Sequence, residues 1–148
     1  ILSLSRSPML YFLSLGANLG NREATIHAAV ERIEQTIGRV TKCSSFYYSE
    51  PWGFKSENGF CNICCRVETA LQPLEVLHST QAIERELGRV HKSQNGQYSD
   101  RTMDIDLIQA FDDEGHEIKM SSDPLLILPH PLWQERDFVT VPLAEVIS

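Results

Sequence analysis

The sequence has little positive charge and no long apolar segment. Lysine and arginine together number 13 against 20 aspartates and glutamates, and the formal net charge is −7. Binding to nucleic acid needs a basic face, so we expect no nucleic-acid partner. No apolar run approaches the roughly 18 residues that predict a membrane span, so we expect no membrane partner either. An anionic small molecule would need a local cluster of basic side chains.

Cysteine is also scarce. The four cysteines are Cys43, Cys61, Cys64 and Cys65. Cys61 and Cys64 have the CxxC spacing, but no second pair completes a zinc site. The last three lie in an apolar run typical of a strand, where free cysteine behaves as a small buried hydrophobe. We interpret the cysteines as reduced core residues of a cytoplasmic protein.

The length and composition predict one globular domain. The chain has 148 residues, 42% of them hydrophobic, and domains most often contain roughly 100–150 residues. Residues 1–8 have too short an apolar stretch for a signal peptide. We expect this segment to be upstream or vector-derived sequence, followed by a single domain over residues 9–148. We expect the protein to be a monomer.

Two amphipathic helices are predicted. Asn21 can cap the first, whose apolar residues recur at intervals of four, three and four, and Gly38 ends it. Pro73 suits the first turn of the second helix, which Gly88 ends. Alternating or continuous apolar runs predict the main strands, and Gly16 belongs to the turn after the first; the runs are Tyr11–Leu15, Val40–Tyr48, Phe60–Leu71 and Arg101–Phe111.

The order of the predicted elements is strand, helix, strand, strand, helix, strand. This order is typical of a ferredoxin-like split βαβ α+β domain, with an antiparallel sheet packed by helices. A turn at Asp112–Gly115, a short apolar run at Leu125–Leu128 and a final short helix with an irregular tail form C-terminal additions. The fold class alone does not decide the function.

The segment Arg101–Asp106 carries the strongest chemical signal. Strand alternation places Asp104 and Asp106 on one face, with Cα atoms about 6.5–7 Å apart. Two neighbouring carboxylates repel each other, and magnesium ions supply the counter-charge while contacting phosphate oxygens. The alternative is a solvated polar strand face. Arg89, Lys92 and Arg101 add the cations that phosphoryl transfer needs.

These and other segments resemble, in order, the 6-hydroxymethyl-7,8-dihydropterin pyrophosphokinase family. The similarity extends over about residues 11–146 and is specific because the segments occur together. The matching segments are Leu15–Gly20, Ser45–Tyr47, Glu50–Gly53, Phe60–Asn62, Gln81–Glu84, Gly88–Val90, Arg101–Asp106, Leu128–Pro131 and Arg136–Phe138.

The resemblance implies an ATP-dependent diphosphotransferase of folate biosynthesis. Such an enzyme, a 2-amino-4-hydroxy-6-hydroxymethyldihydropteridine diphosphokinase, transfers diphosphate from ATP to the hydroxymethyl group of the pterin and releases AMP. Its partners are these two small molecules, and two Mg²⁺ ions are implied, held by Asp104 and Asp106. Another Mg-dependent nucleotidyltransferase and a non-catalytic ferredoxin-like ligand-binding module are the alternatives.

The resemblance also implies a role for particular residues. Arg89 and Arg101 are expected to act with the two aspartates in catalysis. The implied ATP-binding residues are Gln81, Glu84, Lys92, Tyr98, His130 and Arg136. The implied pterin-binding residues are Ser49, Glu50, Trp52, Phe60, Asn62 and Phe138.

Residue chemistry leaves some of these assignments open. Aromatic faces suit a flat pterin, but Phe60 and Phe138 can equally be core residues. His130 between two prolines can be structural, and Gln81 and Glu84 can be solvated. The sequence also departs from the family pattern at His91, Gln97 and Tyr98. These departures remove positive charge from the loop after the second helix.

Overall fold

The computed structural model of the chain describes residues 7–49, 59–88, 103–122 and 126–147. The helices are α1 (Arg22–Thr36), α2 (Pro73–Glu86) and α3 (Asp137–Val146), and a short 3₁₀ turn covers Trp133–Glu135. The strands are β1 (Met9–Ala17), β2 (Arg39–Cys43), β3 (Tyr47–Ser49), β4 (Phe60–Thr69), β5 (Asp104–Phe111), β6 (Met120–Ser122) and β7 (Leu126–Leu128). None of the described helices is long and apolar enough to cross a membrane.

The main sheet is antiparallel and is organised around β1. The strand order is β2-β4-β1-β5, and β3 also pairs with β4. With β2 and β3 taken as one interrupted strand, this is the arrangement of the split βαβ domain that the sequence predicted. The α+β, ferredoxin-like prediction is therefore confirmed.

The two faces of the sheet bury different sets of side chains. Helices α1 and α2 cover one face, where Leu13, Ile33, Cys65 and Ile83 belong to the larger apolar core. Helix α3 covers part of the other face, where it packs mainly on β4; this smaller core contains Phe12, Cys64, Ile108, Val139, Leu143 and Val146. The part of this second face beyond α3 is where polar side chains of β4 and β5 lie.

The helix boundaries follow the predicted signals closely. The side chain of Asn21 accepts a hydrogen bond from the Ala24 amide at 3.1 Å, which makes it the N-cap of α1. Pro73 is the first residue of α2, and Gly88 follows that helix with a φ of 102°, in the left-handed region that glycine favours. Gly38 has another role, because a Cβ atom there would lie 2.2 Å from the carbonyl oxygen of Glu68.

Three predicted elements needed correction. The single strand expected over Val40–Tyr48 is two strands, β2 and β3, with Ser44 to Phe46 between them. Gly16 was expected in a turn, but it lies in β1. The final short helix was expected to be followed by an irregular tail, but it is the ten-residue helix α3, which contains Pro142 and takes up most of that tail. Each error has the same cause, because pairing and packing partners extend or interrupt an element beyond what local pattern shows.

Candidate active site

The polar residues of the candidate site lie in one row across the sheet. Asn62 on β4 is directly opposite Gly16 on β1, and Gly16 is directly opposite Asp104 on β5. Directly opposed residues point to the same face, which here is the α3 face. Neighbouring strands are about 4.8 Å apart, so Asn62 and Asp104 are separated by roughly 10 Å across the intervening glycine. A ligand of that length can contact both.

The second aspartate lies in the adjacent row on the same face. Asp106 is opposite Ser14 of β1, whereas Ile105 between the aspartates points to the larger core. Both carboxylates are half-exposed. This pair of accessible oxygen donors fits the preference of Mg²⁺ for carboxylates combined with water and phosphate oxygens. The alternation predicted from the sequence is confirmed here.

Glu84 lies beneath this strand and is almost completely buried. Its side chain is 5% exposed, and a carboxylate oxygen accepts a hydrogen bond from the Ile105 amide at 2.7 Å. That amide belongs to the edge of β5 and lies between the two aspartates in the chain. The helix therefore holds the carboxylate-bearing segment from outside the sheet. A solvated Glu84, which the sequence left open, is excluded; Gln81, one turn earlier, is exposed.

His130 is attached to the same edge strand. Its backbone amide donates to the carbonyl oxygen of Ile108 at 2.9 Å, and its Nδ1 accepts from the Leu132 amide at 3.1 Å. A neutral imidazole that accepts at Nδ1 carries its proton on Nε2. Burial and the charge of Arg136 lower the pKa of His130, although Asp104 acts in the opposite direction. The charges of both Arg136 and Asp104 thus act on the pKa of His130.

Arg136 and Phe138 stand at the start of α3. The guanidinium carbon of Arg136 lies 5.7 Å from the ring centroid of Phe138, which suits a cation–π contact. Phe138 is half-buried and packs against the smaller core. The 3₁₀ turn and the first turn of α3 therefore bring an arginine and an aromatic ring to the face that carries Asn62.

Asn62 is the polar group that the fold isolates most clearly. It is 5% exposed, and its Oδ1 is buried and accepts no hydrogen bond from any described residue. A buried acceptor in this position normally has a partner, so it indicates a ligand that donates a hydrogen bond. Phe60 lies on the same face of β4, two residues before Asn62. Ser49 of β3 is directly opposite Phe60.

Six of the expected site residues fall outside the described ranges: Arg89, Lys92, Tyr98, Arg101, Glu50 and Trp52. Of the remaining ten, nine lie on β3, β4 or β5, at the start of α3, or in hydrogen-bond contact with β5, whereas Gln81 is exposed on α2. Their functional roles remain predictions.

Another acidic group lies in the turn after β5. Ligand atoms of Asp112, Glu114 and His116 lie within 4.8 Å of one another. Asp112 Oδ1 accepts the amides of Glu114 and His116, both at 2.9 Å, and the His116 amide is the leading cause of the lowered pKa of Asp112. These bonds explain the cluster as a folded turn.

Comparison with known proteins identifies the family. The family described as 7,8-dihydro-6-hydroxymethylpterin-pyrophosphokinase (HPPK) matches residues 12–148. The chain belongs to this family. It is 45% identical over 139 residues to 2-amino-4-hydroxy-6-hydroxymethyldihydropteridine pyrophosphokinase of Porphyromonas gingivalis, covering 93% of this chain and 90% of that protein. For the protein of the same name in Bacillus subtilis, identity is 39% over 136 residues, with 91% and 76% covered.

A solved structure agrees on the fold. The chain resembles a crystal structure of Plasmodium falciparum HPPK-DHPS with a TM-score of 0.71 and 16% sequence identity. The match covers 99% of this chain but 43% of the other. The similarity supports the ferredoxin-like architecture of this chain independently of sequence.

Two residues that shape the candidate site were missed by sequence reasoning. A Cβ atom on Gly16 would lie 2.4 Å from Nδ2 of Asn62, so glycine provides the space for that amide. Arg22 of α1 donates from Nη1 to the carbonyl of Gly59 at 2.8 Å, which fixes the residue before Phe60. Gly16 was visible only as a turn-type residue, and no local signal marked Arg22.

We predict that Glu84→Ala destabilises the protein by about 1–3 kcal/mol, because it leaves the Ile105 amide without this acceptor. Glu84→Gln should recover most of the loss, since its side chain keeps an acceptor oxygen. Urea unfolding of the three proteins measures the effect. Glu86→Ala is the matched control on the same helix, where the exposed pair with Arg32 contributes about 0–1 kcal/mol. Equal losses at both positions would contradict the prediction.

We also predict that His130 is neutral at pH 7 with its proton on Nε2. The Nδ1 acceptor bond fixes the tautomer, and the lowered pKa keeps the ring uncharged. Long-range ¹H–¹⁵N NMR of metal-free protein distinguishes the two nitrogens. A doubly protonated ring, or a proton on Nδ1, would disprove this assignment.

Proposed function

We infer that this chain transfers diphosphate from ATP to 6-hydroxymethyl-7,8-dihydropterin, producing the pterin diphosphate and AMP in folate biosynthesis. Membership of the pyrophosphokinase family supports this reaction. The structural observation that carries the inference is the row of Asn62, Gly16 and Asp104 across one sheet face. It sets the Asn62 amide about 10 Å from a carboxylate pair, a spacing that suits a pterin joined to phosphates.

We propose that Asp104 and Asp106 hold two magnesium ions. Two half-exposed carboxylates on one face supply hard oxygen ligands, and the net negative charge of the pair favours cations there. Bound magnesium would neutralise charge on the transferred phosphates and hold them near the attacking hydroxyl. The buried hydrogen bond that the Ile105 amide donates to Glu84 supports this assignment, because it restrains the segment that carries both carboxylates.

We propose that the pterin binds beside Asn62. The buried Oδ1 can accept from an N–H of the heterocycle, and the same amide can donate through Nδ2. Phe60 and Phe138 lie on this face and would contact the two sides of the flat ring. The resemblance adds Ser49, Glu50 and Trp52 to the pterin-binding set, and the half-buried position of Ser49 opposite Phe60 supports its inclusion.

We propose that ATP binds on the β5 side of the row. His130 can donate from Nε2 to a phosphate oxygen, and Arg136 adds a positive charge close to it. Glu84 contributes indirectly, through the strand that it holds. Gln81, Lys92 and Tyr98 complete the proposed ATP-binding set, and Arg89 and Arg101 are proposed to stabilise the charge of the transferred group.

The proposed diphosphate transfer requires little covalent chemistry from these side chains. Phosphoryl transfer is accelerated mainly by positioning and by stabilisation of charge. Asn62 and the aromatic rings would orient the hydroxymethyl group toward the phosphates. The cationic side chains would stabilise the leaving AMP and the moving diphosphate, while closely packed β1 keeps the two binding regions at a fixed separation.

We propose that the enzyme acts as a monomer in the cytoplasm. Its proposed substrates are small molecules, and the proposed site is assembled from residues of one chain. The free state of all four cysteines also fits a reducing compartment.

We predict that Asp106→Asn lowers AMP formation by about 100-fold or more, because an amide is a weaker ligand and carries no charge. The protein should remain folded, since the change relieves repulsion between the carboxylates. The measurement is AMP release from ATP at saturating magnesium, with and without hydroxymethyl-dihydropterin. Asp113→Asn in the exposed turn is the control and should retain full activity.

Two outcomes of this assay would contradict the proposal. Unchanged turnover in Asp106→Asn would remove the metal-binding role of the pair. Release of diphosphate in place of AMP by the unaltered protein would show a nucleotidyltransferase. Circular dichroism of both variants separates a loss of chemistry from a loss of structure.

We further predict that Gly16→Ala raises KM for the pterin more than KM for ATP. The added methyl group would occupy space within 2.4 Å of Asn62 Nδ2, so the amide must turn away from its ligand. Steady-state kinetics with each substrate varied in turn measure the two constants. Gly115→Ala, at a turn where an added Cβ has no neighbour within 4 Å but where the φ of 86° strains any residue other than glycine, is the control for a general loss of stability. Equal changes in both constants would disprove a specific effect on the pterin side.

A further inference from the structure

Two thiols face each other across the outer strands of the sheet. Cys43 of β2 is directly opposite Cys65 of β4, and their sulfur atoms are 3.4 Å apart. All four cysteines are free, so this contact is between two unlinked thiols. The pair lies away from the candidate active site, because Cys65 points to the larger core whereas Asn62 points to the opposite face.

A local irregularity in β2 creates this pair. Val40 is opposite Val67 and Cys43 is opposite Cys65, so three residue steps on β2 match two on β4. The extra residue is accommodated near Thr41, whose hydroxyl donates to the Arg66 carbonyl at 3.2 Å. Without this bulge, alternation would turn Cys43 away from Cys65.

The backbone spacing permits a disulfide bond. Directly opposed residues of antiparallel strands have Cα atoms about 4.5–5.5 Å apart. Disulfide-linked cysteines usually have Cα atoms about 4.4–6.8 Å apart. Formation of the disulfide therefore requires a change of side-chain rotamer, while the strands remain in register.

Only one of the four thiols combines exposure with a favourable pKa. Cys43 is exposed, and its hydrogen bond with Cys65 lowers its pKa, which increases the thiolate fraction. Cys61, Cys64 and Cys65 are buried. Burial raises the pKa of Cys61 and raises that of Cys64 to about 12, while the hydrogen bond with Cys43 and burial raise the pKa of Cys65. Cys43 is therefore the thiol with which an external oxidant reacts first.

We propose that Cys43 and Cys65 form an oxidisable dithiol, which a low-molecular-weight disulfide such as oxidised glutathione converts to an intramolecular disulfide. The Cys43 thiolate attacks one sulfur of the oxidant, forms a mixed disulfide and releases one glutathione thiolate. The Cys65 thiol loses its proton, attacks the Cys43 sulfur and displaces the second glutathione. The protein loses two electrons and two protons, and one oxidised glutathione becomes two reduced molecules.

The test is oxidation of the full chain with excess oxidised glutathione, followed by alkylation of the remaining thiols and tryptic digestion. Cleavage after Lys42, Lys55 and Arg66 places Cys43 in one peptide and the other three cysteines in another. We expect a cross-linked pair of these peptides, with fragment ions that assign the bond to Cys65 and show Cys61 and Cys64 alkylated.

The variant Cys43→Ser provides the matched control, because an exposed edge position tolerates serine without repacking. It should lose the cross-link completely and keep its AMP-forming activity. A persistent glutathione adduct on Cys43 in the unaltered protein, with no bond to Cys65, would overturn the proposal. So would a bond from Cys43 to Cys61 or Cys64. The readout is a map of disulfide bonds between tryptic peptides. A failure of this proposal is therefore independent of the proposed catalytic function.

Discussion

The pairing of β1 with both β4 and β5 is the constraint on which the site depends. One register places Asn62 opposite Gly16, and a second places Gly16 opposite Asp104. Backbone hydrogen bonds hold these registers, and a slip of one residue would turn the polar side chains into the larger core. The separation between the amide and the carboxylates is therefore a property of the sheet, and no flexible connection sets it.

The outer edge of β5 is covered by residues that also position the candidate site. Glu84 accepts from the Ile105 amide, His130 donates to the Ile108 carbonyl, and Ile118 donates to Ala110. An uncovered strand edge presents unpaired backbone groups, so natural proteins cover it. Here two of the covering residues belong to the proposed ATP region. Edge protection and positioning of the aspartates are thus achieved by the same contacts.

Much of the fold was readable from local pattern because the pattern and the packing agree. Asn21 caps α1, Pro73 begins α2, and the alternation of β4 separates Asn62 and Cys64 from the core-facing Ile63. Prediction failed where a distant partner decided the outcome. The break between β2 and β3 and the extent of α3 depend on contacts with β4. Glu84 was ambiguous because only the position of β5 makes a buried carboxylate favourable.

The sequence by itself determined the family, the order of the elements and the two aspartates on one strand face, since each depends on residue type and short-range spacing. Only the tertiary structure decided that Gly16 clears space for Asn62, that Arg22 holds Gly59, and that Cys43 meets Cys65. Those relations join residues that are between 22 and 46 positions apart, or follow from a bulge. Strand register and packing distances set them, and no local pattern in one chain encodes such distances.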